Sequence, residues 1–492
     1  MNEMSGSARD TTAHNWIAGE WRASQTRSAS FNPATGDVLG HFADADEADA
    51  RDAIAAAKAV FENDLWRRDR HLRARVLHEI ADLLEANRDE MIDLLCAENG
   101  KIRAEASFEY DMCAPKLRYA AALALTEYGR AMEVRPGQYS MTLRQPVGVV
   151  GVIVPWNSPT VLAIRSIAPA LAAGCTVVVK MPAQTALTNA RLFSLVAQAR
   201  HLPAGVVNFF NESGSAGAAR LVTSPDVAAV SYTGSTKIGR LIAAQAAPTL
   251  KRIGLELGGK TPLIVFDDAD LDRVIPVATM AVTTFAGQFC MTGSRLLVQR
   301  GTVDAVRARM AAALHAVVTG PASDPASEMG PMIDRANVER VDRMVGEAAR
   351  YGRIVVRGGA IDDGPLAHGA FMRPALVEVD DPAVPIVQQE VFGPVATLEV
   401  FDSEADAIRL ANATEYGLAA SVWTRDIDRG MRVAGSVDTG TVWLNDWAVV
   451  HDEFEEGGFK QSGMGRLNGC GSIDDFFETK HVVHRAGVAG GA

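Results

Sequence analysis

The chain has 492 residues, a formal net charge of -12 and 48% hydrophobic content. That length exceeds what one hydrophobic core supports, so two or three domains are expected. The acidic balance argues against nucleic acid or an anionic membrane surface as partner. Residues 1–12 are polar and read as a disordered leader without an apolar signal segment. Glu47 to Asn63 and His71 to Asn99 carry apolar residues at helical period. In the second, Val76, Ile80, Leu83, Leu84, Met91, Leu94 and Leu95 form one stripe. Val147 to Val154 is a β-branched run between Pro146 and Pro155, suited to a buried parallel strand and too short to span a bilayer. A helix over Val161 to Ala173 follows, closed by Gly174, and then a strand over Thr176 to Val179. Val206 to Phe210, Ala228 to Ser231 and Leu263 to Phe266 continue the alternation, which implies a doubly wound parallel sheet in an α/β fold. After Asp267 a second α/β set begins, with helices over Val303 to Thr319 and Val338 to Tyr351 and strands over Ile354 to Arg357 and Ala396 to Phe401.

Five scattered cysteines show neither a disulfide framework nor a metal-ligand spacing, which fits a reducing cytoplasm and no metal. Cys290 stands apart in Gly287-Gln288-Phe289-Cys290-Met291-Thr292-Gly293-Ser294-Arg295, among small and polar residues after the apolar run Pro276 to Phe285. Cys96 falls in a helical stripe, Cys175 precedes an apolar strand, and Cys113 and Cys470 have no catalytic context. A thiolate attacks carbonyl carbon well, but a free thiol near pKa ~8.5 is mostly protonated at neutral pH and needs activation. Glu256, in Glu256-Leu257-Gly258-Gly259-Lys260, is a carboxylate at the end of a strand entering the core, where burial suits it to act as a base. Asn157, in Pro155-Trp156-Asn157-Ser158-Pro159, is either a helix-capping turn residue or an amide donor. Nucleophile, carboxylate and amide donor are the parts of a covalent acyl mechanism.

Read together, these segments resemble the aldehyde dehydrogenase superfamily. The resemblance runs from Ile17-Ala18-Gly19-Glu20-Trp21 and Asn32-Pro33-Ala34-Thr35-Gly36 through Gly234-Ser235-Thr236 and the Glu256 and Cys290 segments. It continues through Glu390-Val391-Phe392-Gly393-Pro394 and Asn412 to Leu418, and ends near Gly457 to Gly463. It implies a Rossmann-like cofactor domain over 13–126 and 147–256, and a second α/β catalytic domain over 257–445. It also implies a β oligomerisation arm over 127–146 and 471–492, and a homodimer or homotetramer. The implied activity is NAD(P)+-dependent oxidation of a small-molecule aldehyde to the acid. In it Cys290 is the nucleophile, Asn157 and the Cys290 N–H hold the oxyanion, and Glu256 activates water for thioester hydrolysis. Members that pass the acyl group to coenzyme A generally lack that glutamate, so Glu256 points to the non-acylating type. A coenzyme A-acylating semialdehyde dehydrogenase and a catalytically silent binding protein on this fold are the alternatives.

The resemblance assigns Ser235 to the cofactor pyrophosphate, at a glycine turn opening a helix. It assigns Lys180 to the adenosine ribose and Glu390 to the nicotinamide ribose, with Phe392 near the ring. Ile153, Trp156, Ala183, Gly234 and Leu257 complete the cofactor set. Most NAD-preferring members carry a glutamate where this chain has Ala183, so NADP+ becomes admissible and dual or NADP+-leaning use is expected. Arg165 matches an arginine found both in relatives acting on succinate semialdehyde and in relatives acting on hydroxylated aromatic aldehydes; a salt-bridged structural arginine is the alternative. Ser166 and Leu467 replace both ends of a lysine–glutamate proton relay, which is closer to the aromatic-aldehyde branch. The loop His451 to Glu456 reads as a solvated acidic loop. If it lined the tunnel mouth it would favour amino aldehydes, with Trp443 and Trp447 as cation partners.

Overall fold

The computed structural model describes residues 12–126 and 129–486. Two parallel-stranded sheets organise it. In the first, strands run in the order Val38–Asp44, Val207–Glu212, Thr176–Pro182, Val149–Ile153, Val227–Thr233 and Arg252–Glu256, each parallel to its neighbour. Gly463–Met464 closes that edge antiparallel to Arg252–Glu256. Because the strands are parallel, their carboxyl ends share one edge, which is where open α/β sheets bind ligands. Val149–Ile153 is buried throughout, as its β-branched composition predicts for a strand covered on both faces.

The second sheet has the order Arg353–Val356, Ala375–Glu378, Val395–Phe401, Arg295–Gln299, Pro262–Val265, Ala419–Trp423 and Thr441–Leu444. Only the first pair is antiparallel. Its centre holds a bidentate ion pair: Arg295 Nε and Nη2 donate to the Glu399 carboxylate at 2.8 and 2.6 Å, with both side chains buried. A three-stranded antiparallel sheet stands apart, formed by Arg130–Arg135, Gln138–Pro146 and Phe477–Arg485.

Local chemistry explains the helices. Asp46 accepts from the Ala48 and Asp49 amides, and Asp49 accepts from the Asp46 amide, a reciprocal cap that starts Glu47–Glu62. Pro159 occupies the first turn of Pro159–Ala173, and Gly174 ends it at φ +100°. The single helix expected over His71 to Asn99 is instead three pieces: Arg70–Ala86, Arg88–Leu94 and a π turn over Leu95–Asn99. Asn87 interrupts it by turning its side-chain amide onto the Leu83 carbonyl. The apolar stripe survives the break, with Val76, Ile80, Leu84, Met91 and Leu95 fully buried. Thr12, expected in the leader, pairs with His41 in the strand Thr12–Ala13; residues 1–11 lie outside the described residues, as do 127, 128 and 487–492 of the expected arm. Among the described residues no helix is long and apolar enough to cross a membrane.

Breaking the Arg295–Glu399 pair on one side leaves a buried, unmatched carboxylate, at a cost of about 3–5 kcal/mol. Arg295→Met is therefore expected to lower the thermal midpoint more than the double variant Arg295→Met/Glu399→Leu, read by calorimetry.

Candidate active site

Asn157, Lys180, Ser235 and Glu256 all sit at or just beyond the carboxyl edge of the first sheet. The segments leading into the second sheet's strands, 257–261, 287–294 and 390–394, meet that edge. The Asn157 side-chain amide donates to the Gln288 carbonyl at 3.1 Å. The Gly259 amide donates to Glu390 Oε1, also at 3.1 Å.

The Cys290 loop is held in an unusual backbone state. Phe285, Ala286 and Gly287 take positive φ values of 54°, 52° and 71° in succession. The Phe285 amide is tied to Glu105 Oε1 at 2.7 Å. The Gln288 side chain bridges outward, donating to the Phe285 carbonyl and accepting from the Ile333 amide. At Gly287 a Cβ would lie 2.1 Å from the Gly393 carbonyl carbon, so no larger residue fits the turn. Cys290 emerges half-buried from this frame. Burial, then the Glu456 carboxylate, push its thiol up to about 12, with Arg165 acting in the opposite direction.

Glu256 is buried, and its Oε1 has no hydrogen-bond partner. Burial pushes its carboxyl up to about 8, against the pull of Arg165. Asn157 is also buried, and its backbone carbonyl accepts from Lys101 Nζ at 2.6 Å. Lys101 is ion-paired to Glu109, whose Oε1 accepts from the Thr160 amide and hydroxyl at 2.8 and 2.5 Å. One Asn157 amide hydrogen is committed to Gln288; the Nδ2 atom carries a second. Lys101, Glu105 and Glu109 escaped the sequence reading. A lone lysine and two glutamates on a helical segment look like a solvated face, and only the fold turns them inward.

The residues expected to hold the cofactor gather around the same edge. Ser235 caps the helix Thr236–Ala246, and the Gly234 amide donates to the Glu256 carbonyl at 2.9 Å. Leu257 is buried against Gly239, where a Cβ would lie 2.5 Å from Leu257 Cδ2. Trp156 and Phe392 meet edge to face at 5.5 Å, and Phe392 has φ +52°. Burial pushes the Glu390 carboxyl up to about 7 and the Lys260 ammonium down to about 7. Ile153 ends its strand beside Lys180, and burial lowers the Lys180 ammonium. Ala183 opens the short turn after that strand. A helix amino terminus, an ammonium and buried carboxylates around an open edge fit a dinucleotide's phosphate and ribose groups.

Arg165 is not free. Its Nη1 donates to Glu456 Oε1 at 3.1 Å and its Nη2 to Thr233 Oγ1 at 3.2 Å, while the buried Nε has no partner. Glu456 Oε2 accepts from Asn468 Nδ2, and Asn468 Oδ1 accepts from Lys116, which also pairs with Asp452 at 2.6 Å. The loop expected to be solvated therefore turns two of its carboxylates inward, because Arg165 and Lys116 wait there as counter-charges. Ser166 receives the Ser231 hydroxyl, and Leu467 is buried. Trp443 and Trp447 donate their indole N–H groups to the Val449 and Met291 carbonyls and belong to the core around Cys290. A cavity of ≈ 990 Å³ borders Phe289 and Trp447, with Phe108, Met112, Met280 and Phe285 in its wall.

The sequence profile of the aldehyde dehydrogenase family matches residues 21–482. The chain belongs to the aldehyde dehydrogenase family. It is 37% identical to a phenylacetaldehyde dehydrogenase of Pseudomonas fluorescens over 478 residues, covering 95% of each chain. It is 36% identical to a betaine aldehyde dehydrogenase of Bacillus subtilis, covering 95% of this chain and 96% of the other. The crystal structure of a Staphylococcus aureus betaine aldehyde dehydrogenase with NAD+ superposes with a TM-score of 0.94 at 34% identity, covering 96% of this chain and 95% of that one. This aldehyde dehydrogenase is thus an NAD(P)+-dependent oxidoreductase acting on small-molecule aldehydes.

Burial raises Cys96 and Cys175 to about 11 and raises Cys113 as well. Without cofactor, alkylation at Cys290 followed by peptide mapping is expected to accelerate about tenfold per pH unit between about pH 7 and 9. A pH-independent rate would show a preformed thiolate.

Proposed function

We propose that the enzyme oxidises an uncharged aromatic aldehyde to its carboxylic acid through a cysteine-bound acyl intermediate. The observation that carries the substrate class is the buried Arg165–Glu456 pair. Both members act electrostatically on Cys290 and on Glu256, so the pair flanks the reacting atoms. Arg165 already has its counter-charge. A carboxylated aldehyde would have to displace Glu456 and leave it buried without its counter-charge, at a cost of about 3–5 kcal/mol. Phe289, next to Cys290 in the chain, meets Phe285 and Trp447 edge to face at 5.4 and 5.9 Å, and these rings beside the cysteine support an aromatic occupant. The relative named for phenylacetaldehyde points the same way. A second reading, a carboxylated semialdehyde, draws on the unpartnered Arg165 Nε.

The steps follow from the side chains. Of the three carboxylates whose charge reaches the sulfur, Glu456 is committed to Arg165 and Asn468 and Glu390 Oε1 accepts from the Gly259 amide, whereas Glu256 Oε1 is uncommitted. Glu256 accepts the thiol proton as Cys290 Sγ bonds to the aldehyde carbon. The resulting oxyanion is held by the second Asn157 Nδ2 hydrogen and the Cys290 backbone N–H, a type of contact whose loss costs about 100- to 1000-fold in rate. NAD(P)+, held by Ser235, Lys180, Glu390 and Phe392, supplies the two-electron acceptor when bound. Glu256 releases the thiol proton to solvent and, ionised again, takes a proton from water attacking the thioester; the C–S bond breaks, that proton passes to the departing sulfur, and the acid leaves. The three-stranded sheet exposes Met132, Val134, Tyr139, Leu143 and Val483, which supports a homo-oligomer built through it.

A base must be ionised to act, and burial raises Glu256, so kcat is expected to climb with pH up to about 8 and level off above it. Glu256→Gln is expected to abolish that limb. For substrate class, kcat/KM is expected to favour benzaldehyde over 4-carboxybenzaldehyde by about tenfold or more, and Glu456→Gln to narrow that ratio. A preference of the unsubstituted enzyme for the carboxylated compound would overturn the aromatic reading in favour of the semialdehyde one.

A further inference from the structure

Ala183 removes one obstacle to a 2′-phosphate, but the structure supplies another from a different strand. Lys180 lies near the carboxyl end of Thr176–Pro182, and the adjacent strand Val207–Glu212 places Phe210 opposite Lys180 and Glu212 opposite Pro182. Among the described residues the Lys180 ammonium has no hydrogen-bond or ion-pair partner, although burial bears on it. A lone ammonium at a ligand-binding sheet edge is a group awaiting a ligand.

Two carboxylates flank it. Glu212 is 1% exposed; its Oε1 accepts from the Gly217 amide at 2.6 Å and its Oε2 from the Ala218 amide at 3.1 Å. Those bonds fix the carboxylate in place and occupy the first amides of the helix Ala216–Thr223, so that helix end is unavailable to a cofactor phosphate. Asp44 is buried as well, and accepts from the Ser213 amide and hydroxyl and from Ser28 at 2.8, 2.5 and 2.6 Å. The charges of both carboxylates act on the Lys180 ammonium.

We propose that Glu212, fixed beside Lys180, makes the enzyme prefer NAD+ to NADP+ in spite of Ala183. The inference rests on the cofactor-site reading above, in which Lys180 faces the adenosine ribose. A carboxylate has about four lone-pair sites, and two of those on Glu212 are used, so ribose hydroxyls can still donate to it. A 2′-phosphate would bring like charge against a buried, immobile carboxylate, with Asp44 adding to the repulsion. An acidic side chain beside the adenosine ribose is a usual means by which nucleotide-binding sheets select the free 2′-hydroxyl.

The test is equilibrium binding without aldehyde, by titration calorimetry. The unsubstituted enzyme is expected to bind NAD+ about tenfold or more tightly than NADP+. Glu212→Gln keeps an oxygen for the helix amides and is expected to shrink that ratio at least about threefold, mainly through tighter NADP+. Should that variant not fold, competition by 5′-AMP and by adenosine 2′,5′-diphosphate on the unsubstituted enzyme decides, with 5′-AMP expected to bind more tightly. Equal or tighter binding of the 2′-phosphorylated compounds, or an unmoved ratio in folded Glu212→Gln, would overturn the inference and leave the cofactor site standing. Binding of neither dinucleotide would remove the cofactor-site reading and this inference with it.

Discussion

The hydrogen bond from the Asn157 amide to the Gln288 carbonyl joins the two halves of the site. Asn157 belongs to the first sheet's carboxyl edge, and Gln288 lies two residues before Cys290. The bond registers the Asn157 amide, the proposed oxyanion donor, against the cysteine loop. Each partner is held from behind. Lys101, Glu109 and Thr160 fix the Asn157 turn, while Glu105, Phe285 and Ile333 fix the loop through its three positive-φ residues. Strain concentrated at that turn is stable only because its amides and carbonyls are tied to buried partners.

The charges follow a related logic. Glu256 and the Cys290 thiol sit in surroundings that keep both neutral near neutral pH, so neither is reactive alone. A neutral thiol beside a poised base is protected until a substrate shares the site. Arg165 and Glu456 contribute opposite fields to both groups. The part proposed for the pair is to select which aldehyde fits. It also gives the inward-turned loop a reason to depart from a plain apolar lining.

Much of this was legible from residue order. The β-branched run ending at Val154, the glycine-closed helix after it and the segments around Glu256 and Cys290 gave the α/β architecture and the family. Periodicity carried the apolar stripe through Asn87 but could not register the side-chain bond that breaks the helix there. The acidic loop is solvated at His451, Glu453, Phe454 and Glu455, as expected, but a charge run does not mark Asp452 and Glu456 as turned inward. Glu456 is buried by a partner almost three hundred residues away. Lys101, Glu109 and Glu212 were missed for the same reason: each is explained by contacts across strands or helices, and nothing in its local sequence marks it as internal.

The account stands on a covalent acyl bond at Cys290 that Glu256 is needed to hydrolyse. The direct measurement is acid quench of Glu256→Gln with benzaldehyde and NAD+ at about pH 9, where solvent hydroxide takes the thiol proton in place of Glu256, followed by mass analysis of the Cys290 peptide. The peptide should gain a benzoyl group in step with one equivalent of NADH. Steady NADH formation with an unmodified Cys290 peptide would contradict it.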